Sequence, residues 1–238
     1  MIKTAVIFAA GYGKRMENLT QDTPKPLLVV WGKTLLDHIL TKVVAYGCTR
    51  VIVNTHYLAD AIKEHLLLWK DHIPDLIVTF EEKLLDTGGT LQDIAHFADG
   101  KPFFAINGDI LWKEMGSPTL GYLDQMWEER RHPILALVSK KKAWGYRGPG
   151  DFALDDTGHV VAKINKHAIA PYVYGGIQVC DPQLLTADFL AQINLQAPFS
   201  ASKLWAILIR RKVLFGCLFP DPWYHVGDKD AFRAIAYV

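Results

Sequence analysis

The segment Ala9-Ala10-Gly11-Tyr12-Gly13-Lys14-Arg15-Met16 follows directly on an apolar run that begins at Thr4. Two glycines one residue apart allow a tight loop whose backbone N–H groups can converge on an anion. Lys14 and Arg15 add positive charge, and a guanidinium can grip a phosphate through two nitrogens. The segment is not a Walker A loop, which needs Gly-Lys-Ser/Thr. Nor is it a GxGxxG dinucleotide loop, because Met16 stands where the third glycine belongs. The competing reading is a glycine-rich turn with two solvated charges. Further on, Thr23-Pro24-Lys25-Pro26 brackets one lysine with two prolines, which stiffen the backbone around it. A lysine held this way can be aimed at a developing charge with little entropic cost. An ordinary solvated loop lysine is the alternative.

Three further segments add oxygen, nitrogen and glycine where a ligand could use them. In Asp86-Thr87-Gly88-Gly89-Thr90, ahead of a predicted helix, the glycines permit close backbone approach to a flat ring or a sugar. Thr87 or Thr90 could equally just cap that helix. Asn107-Gly108-Asp109 comes straight after the apolar Phe103-Phe104-Ala105-Ile106. The C-terminal ends of parallel strands face the ligand crevice, and a carboxylate there suits Mg²⁺ beside phosphates. The alternative is a turn aspartate satisfying local N–H groups. Near the end, Trp223-Tyr224-His225-Val226-Gly227-Asp228 offers His225 or Asp228 to complete a metal site.

Positioning these segments is the task of an alternating pattern of strands and helices. The predicted strands of the first half are 4–9, 50–54, 76–80 and 102–107. Apolar spacing predicts helices over 35–46, with Gly47 as its C-cap, over 58–69 and over 91–97. Such alternation implies βαβ units and a mostly parallel sheet. The second half is richer in strands, at 134–138, 152–154, 160–164, 173–179, 213–219 and 223–226, with helices at 120–131, 201–211 and 230–236. Lys140 to Gly150 reads as an exposed loop able to close over a substrate. The expected fold is α/β, with a mixed, mostly parallel central sheet and a small β-rich lobe. Residues 1–238 are expected to form one domain, without a linker, an internal repeat or a β-helix tail.

Composition excludes several classes. Half of the 238 residues are hydrophobic and 21% are charged, enough for a sizeable core and too apolar for a disordered chain. A net charge of +1 supplies no field for nucleic acid or an anionic membrane. Cys48, Cys180 and Cys217 are far apart and odd in number, so small core residues are expected rather than a disulfide or zinc framework. Trp31, Trp127, Trp144 and Trp205 are expected in the core and at its rim, with sugar stacking by Trp144 as the alternative. No apolar run approaches the ~18–20 residues of a membrane span, and the opening does not have the order of a signal peptide. A cytoplasmic location is expected.

In their order and spacing, these segments resemble sugar-1-phosphate nucleotidyltransferases, over Ile2 to about Ala236. The resemblance implies a Rossmann-like three-layer (GT-A-like) fold, with a nucleotide-binding half at 1–112 and a sugar-binding half at 113–238. It implies that an NTP and a sugar 1-phosphate give an NDP-sugar and pyrophosphate. Ala10, Gly11, Gly13, Lys14, Arg15, Lys25, Glu81, Gly88 and Asn107 would bind the nucleotide, Gly88 through its backbone. Arg15, Lys25 and Asp109 would carry the chemistry. Asp151, Gly176 and Lys163 would lie near the sugar. Asp109 and His225 would hold Mg²⁺, with Mn²⁺ as the alternative. The length and several segments of the second half are most similar to the branch that joins UTP to N-acetylmuramate α-1-phosphate in peptidoglycan recycling, with GTP-using mannose-1-phosphate members next. A monomer or homodimer is implied.

The sequence departs from the family at three places. His225 stands where the family usually has Asp, Thr90 follows the two glycines, and Lys163-Ile164-Asn165-Lys166 replaces a Glu-Lys-Pro segment. A catalytically weak nucleotide-sugar sensor is the reading from another class. An NAD-dependent oxidoreductase is opposed by the missing third glycine.

Overall fold

A computed structural model describes residues 1–116, 118–163 and 168–235. The N-terminal half is built on four parallel strands: β1 (Thr4–Phe8), β4 (Arg50–Thr55), β5 (Asp75–Phe80) and β6 (Phe103–Asn107). They run in the order β5-β4-β1-β6, with Ala5 opposite both Val51 and Phe104. Between β1 and β4 come a short hairpin, β2 (Val29–Val30) and β3 (Lys33–Thr34), and then helix α1 (Leu35–Tyr46). Thr34 caps α1 by accepting from the Asp37 N–H, and Gly47 ends it at φ 100°. Helices α2 (Ala59–Leu66) and α3 (Asp86–Ile94) follow β4 and β5.

The sheet continues antiparallel in the second half. After β6 come β7 (Ile110–Trp112), α4 (Thr119–Arg130), β8 (Ile134–Ser139), β9 (Ala143–Trp144), β10 (Phe152–Leu154), β11 (Val160–Ala162) and β12 (Tyr172–Cys180). Next are α5 (Ala187–Gln192), α6 (Ala201–Arg210), β13 (Phe215–Leu218), β14 (Trp223–His225) and α7 (Lys229–Ile235). Strand β12 is antiparallel to β6, to β8 and to β10, and β13 is parallel to β8. The result is a mixed sheet of nine strands among the described residues.

Side-chain alternation divides the core into two layers. Ala5, Ile7, Val51, Val53, Phe104 and Ile106 pack against α1 and α4. Val6, Ile52, Phe103 and Ala105 pack against α3 and α6 on the other face. A third cluster joins Met16, Leu28, Leu35, Leu111, Tyr224, Val226 and Ile235. It seats the glycine loop, the hairpin and α7 on one another.

Two expectations change. Helix α3 starts at Asp86, not Leu91, so its glycines lie in the first turn instead of preceding the helix. Segment 140–150 is not an exposed loop throughout. Ala143 is buried, and β9 pairs in parallel with β14, which pairs with β7. Trp144 meets Tyr224 edge to face within the third cluster, so it packs rather than waiting for a sugar. Cys48 and Cys180 are buried, Cys217 is half-buried, and all three thiols are free. The far ends of predicted strand 160–164 and helix 230–236, like Ile164-Asn165-Lys166, lie outside the described residues. No helix among those described is long and apolar enough to cross a membrane.

Candidate active site

A cavity of about 590 Å³ opens at the C-terminal ends of β1, β4, β5 and β6. The turn after β1 supplies Ala10, Gly11, Gly13, Lys14 and Arg15, and the turn after β6 supplies Asn107 and Asp109. Lys25 and Glu81 complete the predicted residues that line it.

Local structure explains the two turns. Gly13 has φ 64°, and a Cβ there would lie 3.0 Å from Thr20 Cγ2 and 3.2 Å from Lys25 Cβ. A left-handed residue packed this closely must be glycine. At Gly108 a Cβ would lie 2.4 Å from the Phe8 carbonyl oxygen, to which the Gly108 N–H donates at 3.1 Å. The close crossing brings Asp109 over the end of β1. The Asp109 carbonyl in turn accepts from the Val226 N–H at 3.2 Å, drawing the last strand and its Gly227 to the same place.

Lys25 is no solvated loop lysine. It begins a 3-10 turn between its two prolines and is 8% exposed. Its Nζ donates to Asp109 Oδ2 at 2.8 Å and to the Gly227 carbonyl at 3.4 Å. Burial favours the neutral form of Asp109, yet the Lys25 ammonium and, further off, His225 and Arg15 hold the carboxyl below its ordinary range. His225 behaves oppositely. Burial pushes its imidazole below the ordinary value, Asp109 pulls it up, and Lys25 and Arg15 push it down again. The ring lies over Gly227, where an added Cβ would meet Nε2 at 2.3 Å. Asp228 is otherwise engaged, its Oδ1 capping α7 through the Ala231 N–H at 2.9 Å.

Glu81 is buried with neutral partners. Its Oε1 accepts from Asn54 Nδ2 at 2.8 Å and from the Thr90 hydroxyl at 2.6 Å, and its Oε2 accepts from the Leu85 N–H at 3.0 Å. Asn54 also accepts from the Ala9 N–H at 2.9 Å. Asn54 and Thr90 line the cavity; Asn54 was not singled out from the sequence, and Thr90 was noted only as a helix cap or as a residue in place of a third glycine. A polar residue ending the apolar strand Val51-Ile52-Val53 was the available signal for Asn54, by the same argument that found Asn107.

Five predicted residues are not among those that line the cavity: His225, whose ring lies over Gly227, and Gly88, Asp151, Gly176 and Lys163. Gly88 is covered by Phe199: its N–H donates to the Phe199 carbonyl at 2.8 Å, and an added Cβ would strike the ring at 2.3 Å. Helix packing thus takes the Gly88 N–H and fills the space above it. Asp151 accepts from the Tyr174 N–H at 2.9 Å and from the Tyr146 hydroxyl at 3.2 Å. Gly176 stands behind Asn107, with φ 78°. Lys163 is half-buried beyond β11.

Among the described residues, no three His, Cys, Asp or Glu side chains are grouped to hold a metal. The donors at hand are Asp109 and His225. That set suits a cation completed by substrate, since Mg²⁺ is commonly bound by one or two carboxylates plus phosphate oxygens.

A glycine loop, a buried lysine and a carboxylate on the C-terminal edge of a parallel sheet define a nucleotide-handling transferase site. The model of the Nucleotidyl transferase family matches residues 4–237. The chain belongs to that family, as a sugar-1-phosphate nucleotidyltransferase. It is 35% identical over 233 residues to N-acetylmuramate alpha-1-phosphate uridylyltransferase of Caulobacter vibrioides, covering 96% of this chain and 93% of that protein. It is 36% identical over 110 residues to mannose-1-phosphate guanylyltransferase catalytic subunit beta of Drosophila pseudoobscura, covering 45% of this chain and 30% of that one. A UDP-glucose pyrophosphorylase solved with UDP-glucose shares the fold, with a TM-score of 0.81 at 17% identity, covering 100% of this chain and 98% of that one.

Proposed function

We propose that the chain transfers the uridylyl group of UTP to N-acetylmuramate α-1-phosphate, releasing pyrophosphate, as a step of peptidoglycan recycling. The observation that carries this reading is the Lys25–Asp109 pair set against the glycine loop, in a chain alike over 96% of its length to an enzyme named for that reaction. A phosphate oxygen of the sugar phosphate attacks the α-phosphorus in line with the departing pyrophosphate. That oxygen is already anionic at neutral pH, so no general base is required. The protein must hold two anions together and offset their crowded charge.

Each residue then has one task. The Ala10–Gly13 backbone with Lys14 and Arg15 holds the triphosphate. Lys25, fixed by its prolines, stabilises charge at the α-phosphate. Asn107 and Glu81 line the nucleotide's half of the cavity, assigned to residues 1–112. The half at 113–238, with Asp151, Gly176 and Lys163, shapes the sugar side. Asp109, with His225 beside it, would hold a divalent cation, Mg²⁺ or Mn²⁺. When bound, the cation would offset charge on the phosphate oxygens.

Pyrophosphate release, crossing UTP, GTP, CTP and dTTP with N-acetylmuramate, mannose and glucose 1-phosphates, tests the assignment. Turnover is expected with UTP and N-acetylmuramate 1-phosphate. Preference for GTP with mannose 1-phosphate would move the chain to the guanylyltransferase reading. Silence over the whole grid, with Mg²⁺ and with Mn²⁺, would favour a nucleotide-sugar sensor.

A further inference from the structure

Tyr12 and His56 have no task in that scheme, although both adjoin the glycine loop. Tyr12 stands between Gly11 and Gly13 and does not line the cavity. Its hydroxyl lies 3.0 Å from His56 Nε2, and the two rings meet edge to face with centroids 5.3 Å apart. His56 Nδ1 lies 2.7 Å from the carbonyl oxygen of Glu81. A carbonyl only accepts, so Nδ1 carries a proton, and in the neutral ring Nε2 then accepts from the Tyr12 hydroxyl.

A second connection leaves the other end of the loop. The Ala9 N–H donates to Asn54 Oδ1 at 2.9 Å, and Asn54 Nδ2 donates to Glu81 Oε1 at 2.8 Å. The loop is therefore tied at Ala9 through Asn54 and at Tyr12 through His56. Both ties start from the end of β4 and converge on Glu81, one on its side chain and one on its backbone. Glu81 in turn is fixed to Thr90 and Leu85 on the opposite wall.

We infer that Tyr12 and His56 are positioning residues for nucleotide binding, which hold the glycine loop in register with the Glu81–Thr90 wall of the cavity. The inference rests on the reading of the cavity as an NTP site. Two glycines give this loop many conformations, and only one set of them aims the N–H groups of Gly11 and Gly13 together. A loop ordered before the ligand arrives loses less entropy when it binds. Tyr12 is 41% exposed, so its hydrogen bond adds little to the stability of the fold. The tie therefore acts on affinity more than on melting temperature.

Tyr12→Phe removes the hydroxyl and keeps the ring, on which the Lys14 ammonium rests at 5.2 Å. His56→Ala removes the other partner. Calorimetric titration with UTP, GTP, CTP and dTTP in Mg²⁺ gives the nucleotide Kd of each chain. Each single variant is expected to weaken the best-binding nucleotide about 5-fold, the effect of about one neutral hydrogen bond. The double variant is expected to weaken it by about the same 5-fold, not by the ~25-fold of independent sites. The nucleotide KM should rise with Kd, while kcat changes less than about 2-fold and the KM for the sugar phosphate stays level. Unchanged Kd in either single variant, or a multiplicative double variant, overturns the inference and leaves the NTP site standing. A wild-type chain that binds none of the four nucleotides overturns both.

Discussion

Lys25→Met keeps the bulk of the side chain and removes its charge. Lys25 is 8% exposed and its Nζ lies 2.8 Å from Asp109 Oδ2, so the substitution strands a carboxylate whose side chain is 25% exposed. Breaking a fully buried pair from one side costs about 3–5 kcal/mol. Asp109 keeps some water contact, which reduces the expected cost to about 1–2 kcal/mol, or about 2–8 °C in Tm for a chain of this size. Turnover is expected to fall about 10²–10³-fold, as for loss of one preorganised donor at a developing charge. Acid then separates the causes. In the wild type, burial raises the Asp109 pKa but Lys25 leads the opposing charges that leave it lowered. A carboxyl depressed in the folded state contributes stability that is present above its unfolded pKa and lost as pH falls through the folded one. Without Lys25 the leading opposing charge is gone and the folded pKa moves up, so the variant loses less stability than the wild type as pH falls. Thermal melts of both chains from about pH 7 down through the carboxylate range to about pH 3 should show the gap between them closing. The double variant Lys25→Met/Asp109→Asn should recover most of the Tm and none of the turnover. A gap that stays constant or widens on acidification, or a double variant no more stable than the single, would refute this account of the pair.

Three further substitutions address how the site is held. Gly88→Ala places a Cβ 2.3 Å from the Phe199 ring and 2.8 Å from its backbone oxygen, and is expected to cost about 1–3 kcal/mol in urea unfolding. Gly227→Ala meets the His225 ring first, at 2.3 Å from Nε2, so the ring should swing aside with little loss of Tm. Turnover should nevertheless fall tenfold or more, since about 1 Å of misplacement near a reacting centre can cost ~10²-fold. Glu17 has φ 52° and ψ −125°, and its side chain, 66% exposed, pairs with Lys229 at 2.6 Å. Glu17→Gly should relieve the strained backbone and lose an exposed, solvent-screened pair of little weight. Calorimetry should find the variant equal to or slightly more stable than the wild type.

How much of this was legible in the sequence depended on the range of the interaction concerned. Helix α1 was readable to the residue, because its apolar spacing and its Gly47 cap are both local. The four parallel strands were readable from short apolar runs buried on both faces. Strand β9 was not. It has two residues, and only pairing with Trp223 and Tyr224, some eighty positions later, makes it a strand. The start of α3 was missed for a similar reason. Two adjacent glycines argue against helix locally, but Phe199 covers Gly88, Ala197 covers Gly89, and the Phe199 carbonyl accepts from both N–H groups, so distant packing overrides the propensity.

The site divides along the same line. Gly11, Gly13, Lys25 and Asp109 were legible because each lies in a short segment whose chemistry is local: a permissive turn, a lysine stiffened by prolines, a carboxylate at a strand end. The partners that hold these groups come from elsewhere in the chain. Lys25 meets Asp109 across 84 positions and the Gly227 carbonyl across 202. Asn54 meets Glu81 across 27, and no spacing rule links an asparagine ending one strand to a glutamate following the next. Tyr12 was passed over because a tyrosine between two glycines has no anion chemistry of its own. Its significance comes from an imidazole 44 positions away. The residues that would touch phosphate can thus be found by type and spacing, whereas those that fix them become visible only when β1, β4, β5 and β6 are laid side by side.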